Sequence, residues 1–331
     1  ACSDLRYSVV SWSSMVCPTP PSELLFNSIV LGLFAEGKVP GGSVVDAGAN
    51  SGEWACMYAE AQPSRLVHAI DPLEVNIKSI SRKFQPLFPN IRPRVGGLGD
   101  KTVTIVPPKR VARARAGSAA LDISKKGTVW LDKAPAPATA FTMLRLDDLF
   151  ANETLGFAHL DVEGGELAAL RGGARVIQRD RPVLTVELHV HDDPAFTHEL
   201  LIFLNSLQYT VLLVEEVCGV RYDCRNLLAL PKGLGAHFRT SQVLRVAATS
   251  ERLFVVNSSN ILTHAYALAC TRGGPCCHDS RYCCKHRCIR AWLHKEMKRW
   301  DASDKSSRDP RLFTRLEWLS AKTSLTDLFG L

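Results

Sequence analysis

The 331-residue chain has no uninterrupted apolar run approaching the roughly 18–20 residues that span a bilayer. Its best candidate, positions 24–35, is interrupted by Asn27, Ser28 and Gly32 and reads as a packed helix. Net charge is almost missing from the body of the chain. The total is +7, and residues 271–331 hold 13 Lys/Arg against 7 Asp/Glu, so +6 of the excess lies in the tail. A nearly neutral body argues against a general nucleic-acid surface. Internal repeats are absent, and so is the G-x-G-x-x-G spacing of dinucleotide loops. Apolar residues make up 46% and charged residues 22%, an ordinary balance for a packed core. The length suits one large domain with an appendage, or two domains.

What is present is a strand–helix alternation. Residues 1–21 are irregular and rich in Ser and Pro, and Ser22 is placed to cap a helix running to about Glu36. Strand patterns follow at 43–46, 66–70, 91–95, 102–106, 156–160, 183–188, 209–215 and 226–230. Helix patterns fall at 52–61, 73–84, 144–150, 165–178 and 195–206. Such alternation predicts a parallel sheet covered on both faces. The basic stretch 107–140 breaks the rhythm and reads as a long surface loop, either a solvated excursion or a flap near a site.

Acidic residues stand where these strands end. Asp46 precedes the turn Gly48-Ala49-Asn50-Ser51-Gly52. Glycines let a ligand approach backbone closely. A carboxylate at this turn would repel a pyrophosphate but suit a ligand carrying an ammonium and a sulfonium, so the loop favours S-adenosyl-L-methionine over NAD. Asp71 ends the second strand, twenty-five residues after Asp46, where a carboxylate can accept both ribose hydroxyls in a bidentate manner. It could equally cap the helix after Pro72. Asp100 follows the third strand, either near an adenine amino group or as a turn residue. Asp161-Val162-Glu163-Gly164-Gly165-Glu166 and Glu187-Leu188-His189 close two further strands. Carboxylates are costly to bury without partners, and this edge of an open α/β sheet is where ligands bind.

Together these pieces resemble the FkbM-type family of S-adenosylmethionine-dependent methyltransferases. The resemblance rests on Val44–Glu53, Asp71-Pro72 with Asn76, Gly99-Asp100, Leu144–Leu149, Asp161–Glu166 with Leu170-Arg171-Gly172, and Arg181-Pro182 leading to Glu187. It implies a Rossmann-like, mostly parallel sheet of seven strands with helices on both faces. It also implies a methyltransferase domain over 22–235, followed by a cysteine-rich basic extension over 236–331. The chain departs from the family twice. His159 stands where relatives usually have lysine, and Asp71-Pro72 where they usually have Glu-Pro. The implied donor site is Asp46, Gly48, Asn50, Gly52, Asp71, Asp100 and Asp161. Asp161, Glu163, Glu187 and His189 are the candidate catalytic residues, with a hydroxyl of a sugar, glycan or small metabolite as acceptor. A positioned base is expected because a protonated hydroxyl is a poor nucleophile. Asp147 and Asp148 read as structural. Two rivals remain: a fold that binds the donor without turnover, and a nucleic-acid protein using the basic loop and tail.

Eleven cysteines are present, six between Cys270 and Cys288. The odd total leaves at least one unpaired in any intramolecular disulfide scheme. The tail cluster suits disulfides or a zinc site involving Cys276, Cys277, Cys283 and Cys288, though its spacing fits no common zinc module. Cys218 and Cys224 would close a small loop in an oxidising compartment. The compartment stays open. Cytoplasm is the default, and a secretory lumen is the alternative that the cysteines and the acceptor triplets at Asn152 and Asn257 point to.

Overall fold

Strand and helix alternate as the hydrophobic pattern dictates. A computed structural model describes residues 16–18, 23–106, 121–122, 129–130, 140–190, 194–218, 224–249, 253–258 and 260–261. The four tail cysteines of the zinc expectation, His191, Ser22, most of the basic stretch and the tail helices expected near 287–300 and 311–329 lie outside these residues.

The elements are α1 (Leu24–Ala35), β1 (Ser43–Ala47), α2 (Glu53–Ala61), β2 (Val67–Asp71), α3 (Glu74–Lys83), β3 (Ile91–Val95), β4 (Gly97–Leu98) and β5 (Val103–Ile105). A ribbon of β6 (Leu121–Asp122) and β7 (Val129–Trp130) follows. Next come β8 (Phe141–Leu144), α4 (Leu146–Leu149), β9 (Leu155–Leu160), α5 (Glu166–Gly172), α6 (Ala174–Asp180) and β10 (Val183–His189). The described chain closes with α7 (Pro194–Ser206), β11 (Tyr209–Val217), β12 (Cys224–Pro231), α8 (Gly235–Arg239), α9 (Gln242–Thr249) and β13 (Leu253–Val256).

The main sheet runs β13-β11-β12-β10-β9-β1-β2-β3. From β10 to β3 all neighbours are parallel, while β12, β11 and β13 are antiparallel additions. The seven expected strand positions of the sheet are filled, and β13 adds an eighth. The sheet therefore continues past position 235, because Leu253 and Val256 bury their side chains while pairing with β11. Strand β5 joins β8 and β4 in a separate small sheet instead of the main one. Its Val103 and Thr104 are exposed, so no apolar face demands a place in the main core.

Each central strand feeds two cores. In β1, Val44 packs beneath α1, α2 and α9, and Val45 packs on the opposite face with α4 to α7. The continuous helix expected over 165–178 divides at Gly173. Buried Asp147 accepts the Val176 N–H at 3.0 Å and so caps a new helix there. Arg145 and Arg175 hold the same carboxylate at 2.9 and 3.0 Å, so the structural role expected of Asp147 is the one it has. A disulfide between Cys17 and Cys56 ties the segment before α1 to α2. No helix among the described residues is long and apolar enough to cross a membrane.

Candidate active site at the carboxyl edge of the sheet

The chain runs outward from β1 through β2 to β3, then returns to the other side of β1 as β9 and β10. Around β1 the loops part and leave a crevice at the carboxyl ends of the strands. A cleft of about 630 Å³, its open mouth included, lies there. Gly48, Asn50, Asp71, Gly96, Gly97, Met143, Asp161, Glu163 and Gly165 are among its lining residues, and among the described residues no lysine or arginine lines it.

Local backbone builds this wall. Gly48 has φ of +81°, and a Cβ there would stand 1.7 Å from the Asp161 carbonyl oxygen. No other residue lets the β1 turn and the β9 end approach so closely. Asn50 adopts a left-handed φ of 45°, and its N–H donates to Asp71 Oδ2 at 2.9 Å. Asp71 Oδ1 accepts from the Leu73 N–H at 2.8 Å and from Asn76 Nδ2 at 3.0 Å. Asp71 thus fixes the turn that leads into α3 from its place in the cleft, but it does not cap that helix, whose N-cap is Leu73. Burial raises its carboxyl pKa, and these three donors offset part of the rise.

On the opposite wall, the turn after β9 is held by Glu166. Its Oε1 accepts the Gly164 N–H at 3.0 Å and the Val162 N–H at 3.2 Å. Burial nevertheless pushes Glu166 up to about 7. Glu163, at the apex, has φ of 51°, a strained conformation for a side-chain-bearing residue. The turn sets Glu163 against β10: His189 Nε2 lies 3.8 Å from Glu163 Oε2 and 4.0 Å from Glu187 Oε1. Burial, then the charges of Glu187 and Glu163, drive the Asp161 pKa well above the usual carboxylate range. Glu187 rises to about 8, first through burial, then through Glu23 and Glu163, with His189 opposing.

Asp161, Glu163, Glu187 and His189 therefore meet at one rim, and Gly48, Asn50, Asp71 and Asp161 share the cleft. Three other expected donor residues lie elsewhere. Asp46 is 0% exposed and sits under the start of α2, outside the cleft lining. Its oxygens make no well-formed hydrogen bond, and burial raises it to about 7, offset in part by the Ala55 N–H and reinforced by Asp71. Gly52 turns the chain against Ile80 instead of facing the cleft. Asp100 is exposed and outside the lining.

Glu23 was not legible as a site residue. It occupies the N-cap of α1, and its charge acts on both Asp161 and Glu187. Burial raises its own pKa, with Asn226 opposing. The helix is anchored from β11: Glu216 accepts the Leu25 N–H at 3.0 Å and the Phe26 N–H at 2.8 Å. A carboxylate taking the free N–H groups of a first turn also matches the helix dipole. His159, the departure from the family's lysine, is buried and neutral, its pKa pushed down by burial to about 3. It contacts Thr185 Oγ1 at 2.9 Å and packs beside Trp54, Phe26 and Tyr58.

Among curated proteins no sequence matches the chain. Three solved structures share part of its course. Methyltransferase FkbM from Methylobacillus flagellatus KT is 19% identical with a TM-score of 0.39, covering 57% of this chain. The chain spans 43% of that protein, less than half its length. A methyltransferase from Geobacter sulfurreducens is 16% identical with a TM-score of 0.34, the match covering 64% of this chain and 82% of that one. A precorrin-6y C5,15-methyltransferase from Geobacter metallireducens GS-15 is 12% identical with a TM-score of 0.34, covering 68% and 98%. The model of the methyltransferase FkbM domain matches residues 46–211, which are 166 of the 331. With half of its length under that model, and the acidic strand ends inside it, the chain belongs to the FkbM methyltransferase family.

Proposed function

We propose that this methyltransferase takes its methyl group from S-adenosyl-L-methionine and passes it to a hydroxyl oxygen of a sugar, glycan or small metabolite. One observation carries the donor assignment: among the described residues the cleft is lined by the carboxylates of Asp71, Asp161 and Glu163 and by no lysine or arginine. Such a wall repels a pyrophosphate and suits a ligand bearing an ammonium and a sulfonium. When bound, the donor supplies a methyl carbon already activated by its sulfonium. The chain's residues then have to hold, align and deprotonate.

Asp71 is the ribose residue of this reading. Three protein donors already engage a carboxylate that offers about four acceptor positions. It therefore has room for one ribose hydroxyl, not the pair expected from the sequence. Asp161 faces the donor's cationic end, and Gly48 lets the ligand lie against backbone. Glu187 is assigned as general base, taking the acceptor's hydroxyl proton onto a carboxylate oxygen. Burial brings its pKa to about 8, close to a working pH, where a base combines availability with proton affinity. Glu163 and His189 hold the acceptor's other hydroxyls and the base itself. Oxygen as the acceptor atom comes from the family resemblance, and the residues make a base available for it.

Calorimetric titration with S-adenosylhomocysteine tests the donor site. Wild type binds, and Asp71→Ala loses at least about tenfold in affinity, roughly 1.4 kcal/mol. Equal affinity in the two proteins would remove Asp71 from the site.

A further inference from the structure

The hairpin joining β11 to β12 brings two cysteines to the rim. Cys218 and Cys224 are each 2% exposed and are joined as a disulfide. Their sulfurs and a Glu187 carboxylate oxygen all lie within 4.8 Å of one another. Glu187 and His189 are two residues apart on β10 and so share one sheet face. His189 stands directly opposite Cys224 across the β10–β12 ladder. Its Nε2 is 4.0 Å from Glu187 Oε1. Two sulfurs and one carboxylate therefore converge, with the His189 imidazole beside that carboxylate.

We propose that when this bridge is reduced, Cys218, Cys224, Glu187 and His189 form a four-coordinate zinc site, so that disulfide and metal are alternative closures of the same hairpin. The donor set is one that zinc takes: thiolate sulfur at about 2.3 Å, with imidazole nitrogen and carboxylate oxygen near 2.0–2.2 Å. Tetrahedral ligands at those lengths stand roughly 3.5 Å apart. Cys218, Cys224 and Glu187 already lie close enough to share one ion once the sulfurs separate, and His189 would have to swing in from beside Glu187 as the fourth ligand. The exchange balances. A dithiol reductant is oxidised to its own disulfide as the two cysteine thiols form. Zinc then displaces one proton from each thiol, giving two bound thiolates and two released protons. Reoxidation by a small-molecule disulfide, which takes up the two electrons and leaves as two thiolates, restores the protein's sulfur–sulfur bond and frees the ion. Burial of the pair and the paired strands β10 and β12 hold the ligands near one another in both states. The site stands whether or not Glu187 serves methyl transfer, and its readout needs no methyl donor.

The test uses the full chain, reduced anaerobically with a trialkylphosphine, which becomes the phosphine oxide with water supplying the oxygen and both thiol protons. Iodoacetamide labelling with and without zinc chloride is then mapped peptide by peptide, which separates Cys218 and Cys224 from the tail cysteines. Zinc is expected to slow labelling of Cys218 and Cys224 at least tenfold, and a chelator to restore it. Glu187→Gln should weaken that protection by at least about tenfold in zinc concentration. Cobalt(II) in place of zinc should give a thiolate charge-transfer band whose intensity Cys218→Ser reduces. Labelling at the same rate with and without zinc, protection confined to the tail, or a bridge that stays closed in the folded protein under the phosphine would each overturn the proposal. The labelling of wild type decides the matter even if Cys218→Ser fails to fold.

Discussion

Glu187 shows how surroundings change the chemistry open to a single side chain. An ordinary carboxylate would be a weak base near neutrality. Burial beside Glu23 and Glu163 lifts this one to about 8, so its basic form appears only as pH rises through that value. Turnover under donor saturation is therefore expected to climb between about pH 7 and 9 and then level off. Glu187→Gln should abolish that limb and lower turnover about 100-fold or more while changing donor affinity little. A mutant keeping both limb and rate would exclude Glu187 as the base. His159 is the opposite case: a titratable group kept neutral and built into an aromatic cluster with Trp54, Phe26 and Tyr58. His159→Ala should cost about 2–4 kcal/mol in chemical denaturation, through the cavity and the lost Thr185 contact. A loss confined to activity, with stability intact, would contradict that structural role.

At the scale of elements, the strand ends were readable because each joins an apolar run to an acidic residue, with a glycine turn after Asp46 and Asp161. Asp71, Asp161 and Glu187 stand at such ends, and Glu163 and His189 follow two residues beyond. Asp46 obeyed the same pattern and yet lies beneath α2, because alternation along β1 directs it, like Val44, into the α1–α2 face. Periodicity located the strand but could not say that the helix start would cover this carboxylate. Glu23 left no local signal. It reaches the rim only because Glu216, nearly two hundred residues later, fixes the start of α1. The split between α5 and α6 was hidden for a similar reason, since its capping carboxylate comes from Asp147 in α4. Asp147→Ala should accordingly destabilise the fold by about 2–4 kcal/mol, measured by urea denaturation, because it uncaps α6 and strands Arg145. An unchanged midpoint would show that α6 does not depend on this cap.

Over the whole molecule, carboxyl groups buried at and beneath the carboxyl edge of the sheet set the response to pH. Asp46 and Glu166 rise to about 7 and Glu187 to about 8 from ordinary values near 4. Groups with raised folded pKa contribute stability that is complete below their unfolded pKa and is lost as pH climbs through the folded value. The melting temperature of the unliganded protein should therefore fall between about pH 5 and 8.5, and Asp46→Asn should flatten the decline. A melting temperature that stayed flat or rose over this interval would contradict the raised values. Occupation of the cleft by a cation should offset part of the same decline, which links stability to the central claim. The most direct test is a crystal structure of the complex with S-adenosylhomocysteine. The donor product is expected between the ends of β1 and β2, with one ribose hydroxyl on Asp71 and the sulfur turned toward Asp161 and Glu187. A ligand seated away from the carboxyl edge, or with its ribose out of reach of Asp71, would contradict the account.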